Sequence, residues 1–351
     1  MNGMHQKTLT THPPAKLNLF LELLAKRNDG FHEIDTVMVP INWCDTLHLS
    51  VASGSEIELI VESLEPHELN AGLHRDLQHL PAPVPSDQKN LVYQALDRFR
   101  QQYGIASGFR CKLIKRIPAG AGLGGASSDA ASALLLAAKS HNIEPSDPAL
   151  SRIASKIGSD VPFFLGNLSS DKQPADQAST KNTPAGIRAA RATGRGEKIS
   201  VAECPAKIHF VVVFPGVGLS TPAVYSHSTV PAKAEPSGDT NDSEKHHESM
   251  RSSKPILEAL RCGEPNLIAG QLFNRLSRPA KKLASEVATT LKSLNHVGLQ
   301  GCLMTGSGSA CFGIAETQAK AELAAESLKA HLGSGFIVQV THSIEVPQYV
   351  E

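Results

Sequence analysis

The segment "IPAGAGLGGASSDAASALLLAAK", residues 117–139, constrains the fold of this chain more than any other. Four of its glycines lie within six positions: Gly120, Gly122, Gly124 and Gly125. Glycine tolerates positive φ and allows close approach to the backbone, but it loses the most entropy on ordering. A tight turn alone would need only one or two glycines, so we predict a ligand-binding loop. An alanine-rich helix follows it, with Ser127 or Ser128 as the expected N-cap.

The ligand of this loop is expected to carry phosphate. A helix N-terminus has unpaired backbone N–H groups and roughly half a positive charge, which favours an anion. Ser127 and Ser128 add hydroxyl groups near phosphate or Mg²⁺. The spacing G-x-G-x-x-G also occurs in dinucleotide-binding folds, but those need a following strand that ends in an acidic residue. The Walker ending G-K-[ST] is missing, and a protein-kinase loop joins two strands rather than opening a helix.

Length and composition restrict the class of protein. The 351 residues exceed the usual size of one core, so two domains are expected. Lys and Arg total 34, as do Asp and Glu, which gives no net attraction to nucleic acid or to an acidic membrane. The six cysteines form no C-x-x-C pair, and neither a signal peptide nor a membrane span is recognisable. We therefore expect a soluble, cytoplasmic protein with reduced thiols.

Periodicity predicts strands and helices on both sides of the glycine loop. Residues 46–61 alternate around "SGS", which predicts a β-hairpin. Residues 90–104 have helical spacing with a glycine stop, and residues 109–117 form the strand that enters the glycine loop. Residues 146–158 form a second helix, capped by Ser146 or Asp147.

Two polar segments interrupt this pattern. Residues 167–198 and 229–254 have too few apolar side chains to fold alone, and we interpret them as inserted surface loops. Residues 207–216 between them have the composition of a buried strand. The alternating helices and strands beyond them indicate an α+β domain with an antiparallel sheet.

The segment "PAGAGLGGASSDAA", residues 118–131, resembles the second motif of the GHMP kinases. Three further stretches agree in the expected order: "PAKLNLFLELLAKRNDGFHEIDTVM", "GSDVPFFLG" and "MTGSGSACFGI". The resemblance implies an α+β, two-domain GHMP kinase fold. Residues 1–205 would form the N-terminal ATP-binding and catalytic domain, which is ribosomal protein S5 domain 2-like. Residues 206–351 would form a C-terminal ferredoxin-like α/β sandwich domain.

The resemblance also implies ATP as the cofactor, with Mg²⁺ bound to it and no dedicated metal site on the protein. The implied ATP-binding residues are Asn90, Pro118, Ala119, Gly120, Ala121, Gly122, Leu123, Gly124, Gly125, Ala126, Ser127 and Ser128. Asn90 would belong to the adenine pocket, although its place before a helix also suits an N-cap.

Asp160 and Lys16 are the catalytic residues that the resemblance implies. Asp160 stands among small and apolar residues, where a carboxylate is costly to bury without a partner or a task. The pattern alone favours a cap or turn aspartate, whereas the resemblance makes Asp160 the catalytic base. Lys16 interrupts a strand pattern and shares a face with Asn18. By resemblance, Lys16 lies against Asp160 and keeps it ionised, and Asn18 holds the acceptor polyol.

The acceptor is implied by similarity to one subgroup of the family, whose substrate is a cytidine diphosphate-linked methylerythritol. In "GFHEI", Phe31 would stack on the cytosine and His32 would contact its edge, although the subgroup more often has tyrosine at the place of Phe31. The remaining substrate-binding residues implied are Thr221, Tyr225, Gly306, Ser307 and Gly308.

Other functions remain open from the sequence. A mevalonate- or homoserine-type kinase would keep the glycine loop but not "GFHEI". A catalytically silent, metabolite-sensing relative would not need Lys16 and Asp160. In each case the expected partner is a small molecule, with no nucleic acid or membrane, and the chain is expected to be a monomer or weak homodimer.

Overall fold

The structure, a computed structural model, describes residues 7–63, 84–166, 188–231 and 249–346. Within these ranges the strands are β1 Leu9–Thr11, β2 Pro14–Lys26, β3 His32–Cys44, β4 Thr46–Ala52, β5 Ile57–Ser63, β6 Gly108–Lys115, β7 Ala190–Gly194, β8 Lys198–Val201, β9 His209–Phe214, β10 Phe273–Asn274, β11 Gln300–Met304, β12 Cys311–Ala315 and β13 Ile337–His342. The helices are α1 Leu91–Tyr103, α2 Gly125–Ser140, α3 Pro148–Ile157, α4 Val161–Leu165, α5 Thr221–Ser226, α6 Lys254–Cys262, α7 Pro265–Gly270, α8 Ser277–Leu283, α9 Ser285–His296 and α10 Gln318–His331.

Two sheets form most of the N-terminal part, with strand orders β1-β4-β6-β5 and β10-β2-β3-β7-β8. Helices α1 to α4 share one apolar core with the first sheet. The alanine-rich α2 is buried along most of its length, as expected for a helix with apolar side chains all round. Its burial fixes the position of the glycine loop that precedes it.

The hairpin predicted over residues 46–61 is wrong. β4 and β5 each pair with β6, the first antiparallel and the second parallel, so β6 lies between them. At the start of β6, a Cβ on Gly108 would lie 1.9 Å from the carbonyl oxygen of Glu56, which explains the glycine there. A period of two indicates strands but does not say which strands are neighbours. The strand that enters the glycine loop is therefore flanked on both sides.

The C-terminal part contains an antiparallel sheet with the order β11-β12-β9-β13. Helices α9 and α10 contact this sheet. The predicted α+β class, the antiparallel sheet and the buried strand within residues 207–216 are confirmed. No helix in the described ranges is long and apolar enough to cross a membrane.

The bounds of both predicted insertions are wrong. Residues 190–194 form β7, which pairs with β3, although only small side chains face its core. Ser253 is buried, and its hydroxyl donates to Asp35 Oδ2 at 2.7 Å. The rest of the predicted insertions, residues 167–187 and 232–248, lies outside the described residues.

The two parts of the chain are joined by backbone pairing. β10 pairs parallel with β2, and Ile41 bridges to Ser343. One apolar core includes residues of both parts, such as Leu17 and Phe312. The division at residue 205 stays a prediction.

Candidate active site

A cavity of about 940 Å³ lies where β2, the glycine loop and the loop between β11 and β12 meet. The predicted site residues that line it are Lys16, Asn18, Phe31, His32, Asn90, Pro118, Ala119, Gly120, Ala121, Gly122, Leu123, Gly124, Gly125, Ala126, Ser127, Asp160, Thr221, Tyr225, Gly306 and Ser307. Its size is in the range of small-molecule sites. Residues from distant parts of the sequence are thus brought to one cavity.

Two predicted site residues do not line this cavity. Ser128 is fully buried in α2, and its Oγ has no hydrogen-bond partner among the described residues. Gly308 faces the protein interior, because a Cβ there would lie 2.7 Å from the sulfur of Met304. Only some residues of each motif face the cavity, and these two face the packed interior.

The glycine loop needs its glycines for backbone conformation. Gly120, Gly122 and Gly124 have φ of +67°, +76° and +72°. Helix α2 begins at Gly125 with Gly124 at the N-cap, so the prediction that Ser127 or Ser128 caps the helix is wrong. Because Gly124 adopts the left-handed conformation, α2 begins three to four residues earlier than it would with Ser127 or Ser128 as its N-cap. The first N–H groups of a helix lack intrahelical partners, and here Gly125 to Ser127 line the cavity.

Part of the glycine content also serves packing between the two glycine loops. A Cβ on Gly122 would lie 2.4 Å from the carbonyl oxygen of Thr305. The backbone N–H of Ala310 donates to Ala121 O at 3.1 Å, and that of Lys16 donates to Leu123 O at 2.9 Å. The glycine loop is therefore held between β2 and the second loop.

Lys16 and Asp160 meet in the cavity. Lys16 Nζ lies 3.6 Å from Asp160 Oδ2 and makes a short hydrogen bond to Asn18 Oδ1. Lys16 is buried, whereas a third of the Asp160 side chain is exposed to the cavity. Asp160 lies in a turn at the N-cap position of α4, as the sequence pattern alone indicates, but its side chain makes no capping hydrogen bond. Burial lowers the pKa of Lys16, partly offset by the charge of Asp160.

A pH profile is expected to detect the lowered pKa of Lys16. The positive charge of Lys16 is lost as pH rises through that pKa. The decline of kcat/KM should therefore begin at a pH below 10.5, the usual pKa of lysine. Lys16→Arg keeps the charge over this range, because arginine has a pKa of roughly 12.5 or more. Its profile should stay flat even if its rate is lower. If kcat/KM of Lys16→Arg declined with the same midpoint pH as wild type, the titrating group would be a residue other than Lys16.

Asn90 serves two purposes. Its Oδ1 accepts from Val92 N at 2.9 Å, which makes it the N-cap of α1, and its Nδ2 donates to the carbonyl oxygen of Pro85. The same residue lines the cavity. The N-cap interpretation is confirmed, and the adenine contact stays a prediction.

Aromatic rings form another part of the cavity wall, which we call the aromatic end. The rings of His32 and Tyr225 are 5.2 Å apart, and Thr221 Oγ1 lies 2.8 Å from Ser307 Oγ. Phe31 is 51% exposed, so its ring offers a face for stacking. Burial and the charge of Lys26 lower the pKa of His32, which favours the neutral imidazole.

Six charged residues on the cavity wall were missed as site residues from the sequence: Lys26, Asp29, Lys89, Lys115, Asp129 and Arg195. The guanidinium of Arg195 lies 5.1 Å from the centre of the Phe31 ring. Arg195 was assigned to an insertion, although "TGRGEK" carries a turn signal between two short strands. Lys115 and Asp129 flank the glycine loop in the sequence, which is the signal that could have placed them near the site.

Comparison with known proteins gives two matches to family models. The model described as the GHMP kinases N terminal domain matches residues 90–167, and that described as GHMP kinases C terminal matches residues 256–334. A relative from Rhodopirellula baltica, named 4-diphosphocytidyl-2-C-methyl-D-erythritol kinase, is 40% identical over 349 residues, or 97% of each chain.

Solved structures give the same picture. A crystal structure of 4-(cytidine 5'-diphospho)-2C-methyl-D-erythritol kinase has a TM-score of 0.65 and 31% identity, covering 96% of this chain and 100% of that chain. A homoserine kinase from Cytophaga hutchinsonii has a TM-score of 0.63 at 15% identity, covering 98% of this chain and 96% of that chain. At 15% identity the likeness concerns the fold alone.

Proposed function

The chain belongs to the GHMP kinase family, and we propose that it phosphorylates the 2-hydroxyl group of 4-diphosphocytidyl-2-C-methyl-D-erythritol with ATP. It has the two-domain α+β fold of that family. The observation that carries the proposal is one cavity that joins the glycine loop, the Lys16–Asp160 pair and the aromatic end with His32 and Tyr225. These are the parts needed to bind a triphosphate, activate a hydroxyl group and hold a nucleobase.

The reaction follows from this arrangement. The N–H groups at the start of α2 bind the phosphates, where the helix dipole favours negative charge. Asp160 accepts the proton of the 2-hydroxyl group as the new O–P bond forms and the bond to ADP breaks. The Lys16 ammonium, 3.6 Å from Asp160, stabilises the charge that develops during the transfer. Asn18, whose backbone N–H donates to Thr305 Oγ1 at 2.9 Å, orients the polyol.

Mg²⁺ is part of the proposal as the partner of ATP. Among the described residues, no group of three or more His, Cys, Asp or Glu side chains could hold a metal ion. Mg²⁺ is commonly bound by substrate phosphates with one or two carboxylates and waters, which does not require such a group. The Ser127 hydroxyl group on the cavity wall fits a place beside the phosphates and their Mg²⁺.

The charges at the aromatic end support an acceptor with a diphosphate. Lys26 and Arg195 both line this part of the cavity, and Arg195 lies over the exposed Phe31 ring. Guanidinium and ammonium groups are the usual partners of phosphate. Mevalonate and homoserine have neither a nucleobase nor a diphosphate, so they would leave these groups unused.

The assay of ADP release tests the substrate directly. With ATP and Mg²⁺, the purified protein should turn over 4-diphosphocytidyl-2-C-methyl-D-erythritol and should be inactive with mevalonate and homoserine at equal concentrations. Activity with either of these and none with the cytidyl compound would reject the proposed acceptor. ATP binding without turnover of any of the three would favour the metabolite-sensing alternative.

The proposal includes the cytoplasm as the location and a monomer or weak homodimer as the state. All six cysteines are free thiols, which supports a reducing compartment.

A further inference from the structure

A buried cluster of three charged residues lies beneath the glycine loop. Lys115 is the last residue of β6, and its Nζ donates to Asp129 Oδ2 at 2.7 Å and to Asp45 Oδ2. All three side chains are at least nine-tenths buried. We call Asp45, Lys115 and Asp129 the clasp. None of them has a role in the transfer step described above.

The clasp joins the two ends of the loop. Lys115 precedes the loop and Asp129 follows it in the second turn of α2, 14 residues later. Asp45 fixes the entry, because its Oδ1 accepts from the backbone N–H groups of Arg116 and Ile117, the latter at 2.9 Å. One ammonium group therefore connects Asp45, at the entry of the loop, with Asp129, in the second turn of α2.

The contact with the start of α2 is close. A Cβ on Gly125 would lie 3.0 Å from Ile117 Cγ2 and 3.3 Å from Lys115 Nζ. Gly125 is the first residue of α2 and lines the cavity. The Lys115 ammonium therefore lies directly beside the N-terminus of α2.

The presence of three buried charges in the clasp is not explained by a gain in folding stability. One ammonium group faces two buried carboxylates, and Asp129 Oδ1 has no hydrogen-bond partner among the described residues. Burial raises the pKa of Asp129, although Lys115 opposes this. Burial would lower the pKa of Lys115, but Asp129 and Asp45 outweigh it and the pKa is raised. Buried ion pairs are often no more stabilising than apolar residues of the same size.

We propose that the clasp positions the glycine loop for the triphosphate, with Asp129 as a positioning residue that acts through Lys115. This inference rests on the proposed function, because it takes ATP as the ligand of the loop. The Lys115 ammonium bonds to Asp45, which lies at the entry of the loop, and to Asp129, which lies in the helix after its exit. Removing Asp129 leaves Lys115 paired with Asp45, so no buried charge loses its only partner.

Two variants of Asp129 and one matched control test the proposal. Asp129→Asn keeps an oxygen for Lys115, whereas Asp129→Leu removes it at similar size. Glu22→Gln makes the same acid-to-amide change in another buried ion pair, that of Glu22 with Arg275, which lies outside the catalytic and binding machinery. Calorimetry with a non-hydrolysable ATP analogue, binding of the cytidyl acceptor and the melting temperature are measured for each variant.

Asp129→Leu should weaken binding of the ATP analogue by about tenfold, the effect of losing a hydrogen bond to a charged group. Asp129→Asn should fall between this variant and wild type, and acceptor binding should stay within about twofold. Glu22→Gln should change the melting temperature without changing analogue binding. Unchanged analogue binding in a folded Asp129→Leu protein, with normal binding by wild type, would overturn the clasp alone. Wild type that does not bind the analogue would overturn the proposed function together with it.

Discussion

Replacing Asp160 by asparagine is expected to lower turnover by roughly 10²–10⁴-fold, the usual contribution of a general base. Asparagine keeps the size of the side chain and can still form hydrogen bonds, but it cannot accept the proton of the hydroxyl group. A third of the Asp160 side chain is exposed to the cavity, and the buried Lys16 ammonium keeps its hydrogen bond to Asn18 Oδ1 after the exchange. Acceptor binding should therefore change much less than turnover.

The experiment is single-turnover phosphoryl transfer, with acceptor binding measured separately. Lys16→Met should also lower turnover, because it removes the ammonium 3.6 Å from Asp160. The double variant should be little slower than the slower single variant, since residues that act as a unit are not additive. Multiplied effects in the double variant would mean that the two residues act independently. A wild-type rate in Asp160→Asn would reject the base assignment.

Gly124→Val is expected to reduce turnover by about 100-fold, because misplaced catalytic groups cost rates of this order. Gly124 has a φ of +72°, and a Cβ there would lie 3.0 Å from Cγ and 3.1 Å from Cε of Lys16. The valine would press on the Lys16 side chain and on Phe164, whose ring is 3.1 Å away. Both catalytic and phosphate-binding groups would move.

Gly104→Val is the matched control for backbone strain. Gly104 has a φ of +64° at the end of α1, and a Cβ there has no atom within 4 Å. Both variants should lose stability through left-handed strain of about 1–3 kcal/mol. Only Gly124→Val should lose turnover and ATP affinity beyond this shared loss of melting temperature. Equal turnover in the two variants would mean that the loop glycine serves conformation alone.

The elements with strong local signals were predicted well. The bounds of α1 and α3 follow from side-chain caps and glycine stops, which act within a few residues: Asn90 with Gly104, and Asp147 with Gly158. The start of α2 was misplaced because a left-handed glycine, rather than a serine side chain, precedes it.

Contacts between distant segments could not be predicted from local pattern. β6 lies between β4 and β5 in the sheet. The alternating pattern of residues 46–61 predicts strands but does not predict which strand pairs with which. Asp45 and Lys115 are 70 positions apart, and the sequence around one does not predict its contact with the other. Arg195 was missed because β7 and β8 are too short and too poor in large apolar residues to stand out.

The close approach of Gly122 to Thr305 has a consequence for recombination between relatives. The two residues lie on opposite sides of residue 205, yet a Cβ on Gly122 would lie 2.4 Å from the Thr305 carbonyl oxygen. A chimera that joins the first half of one enzyme to the second half of another must keep this fit of backbone to backbone. Swapping whole halves to change the acceptor is therefore limited by the contact between the two glycine loops. Transferring single side chains around His32 and Tyr225 leaves that contact intact.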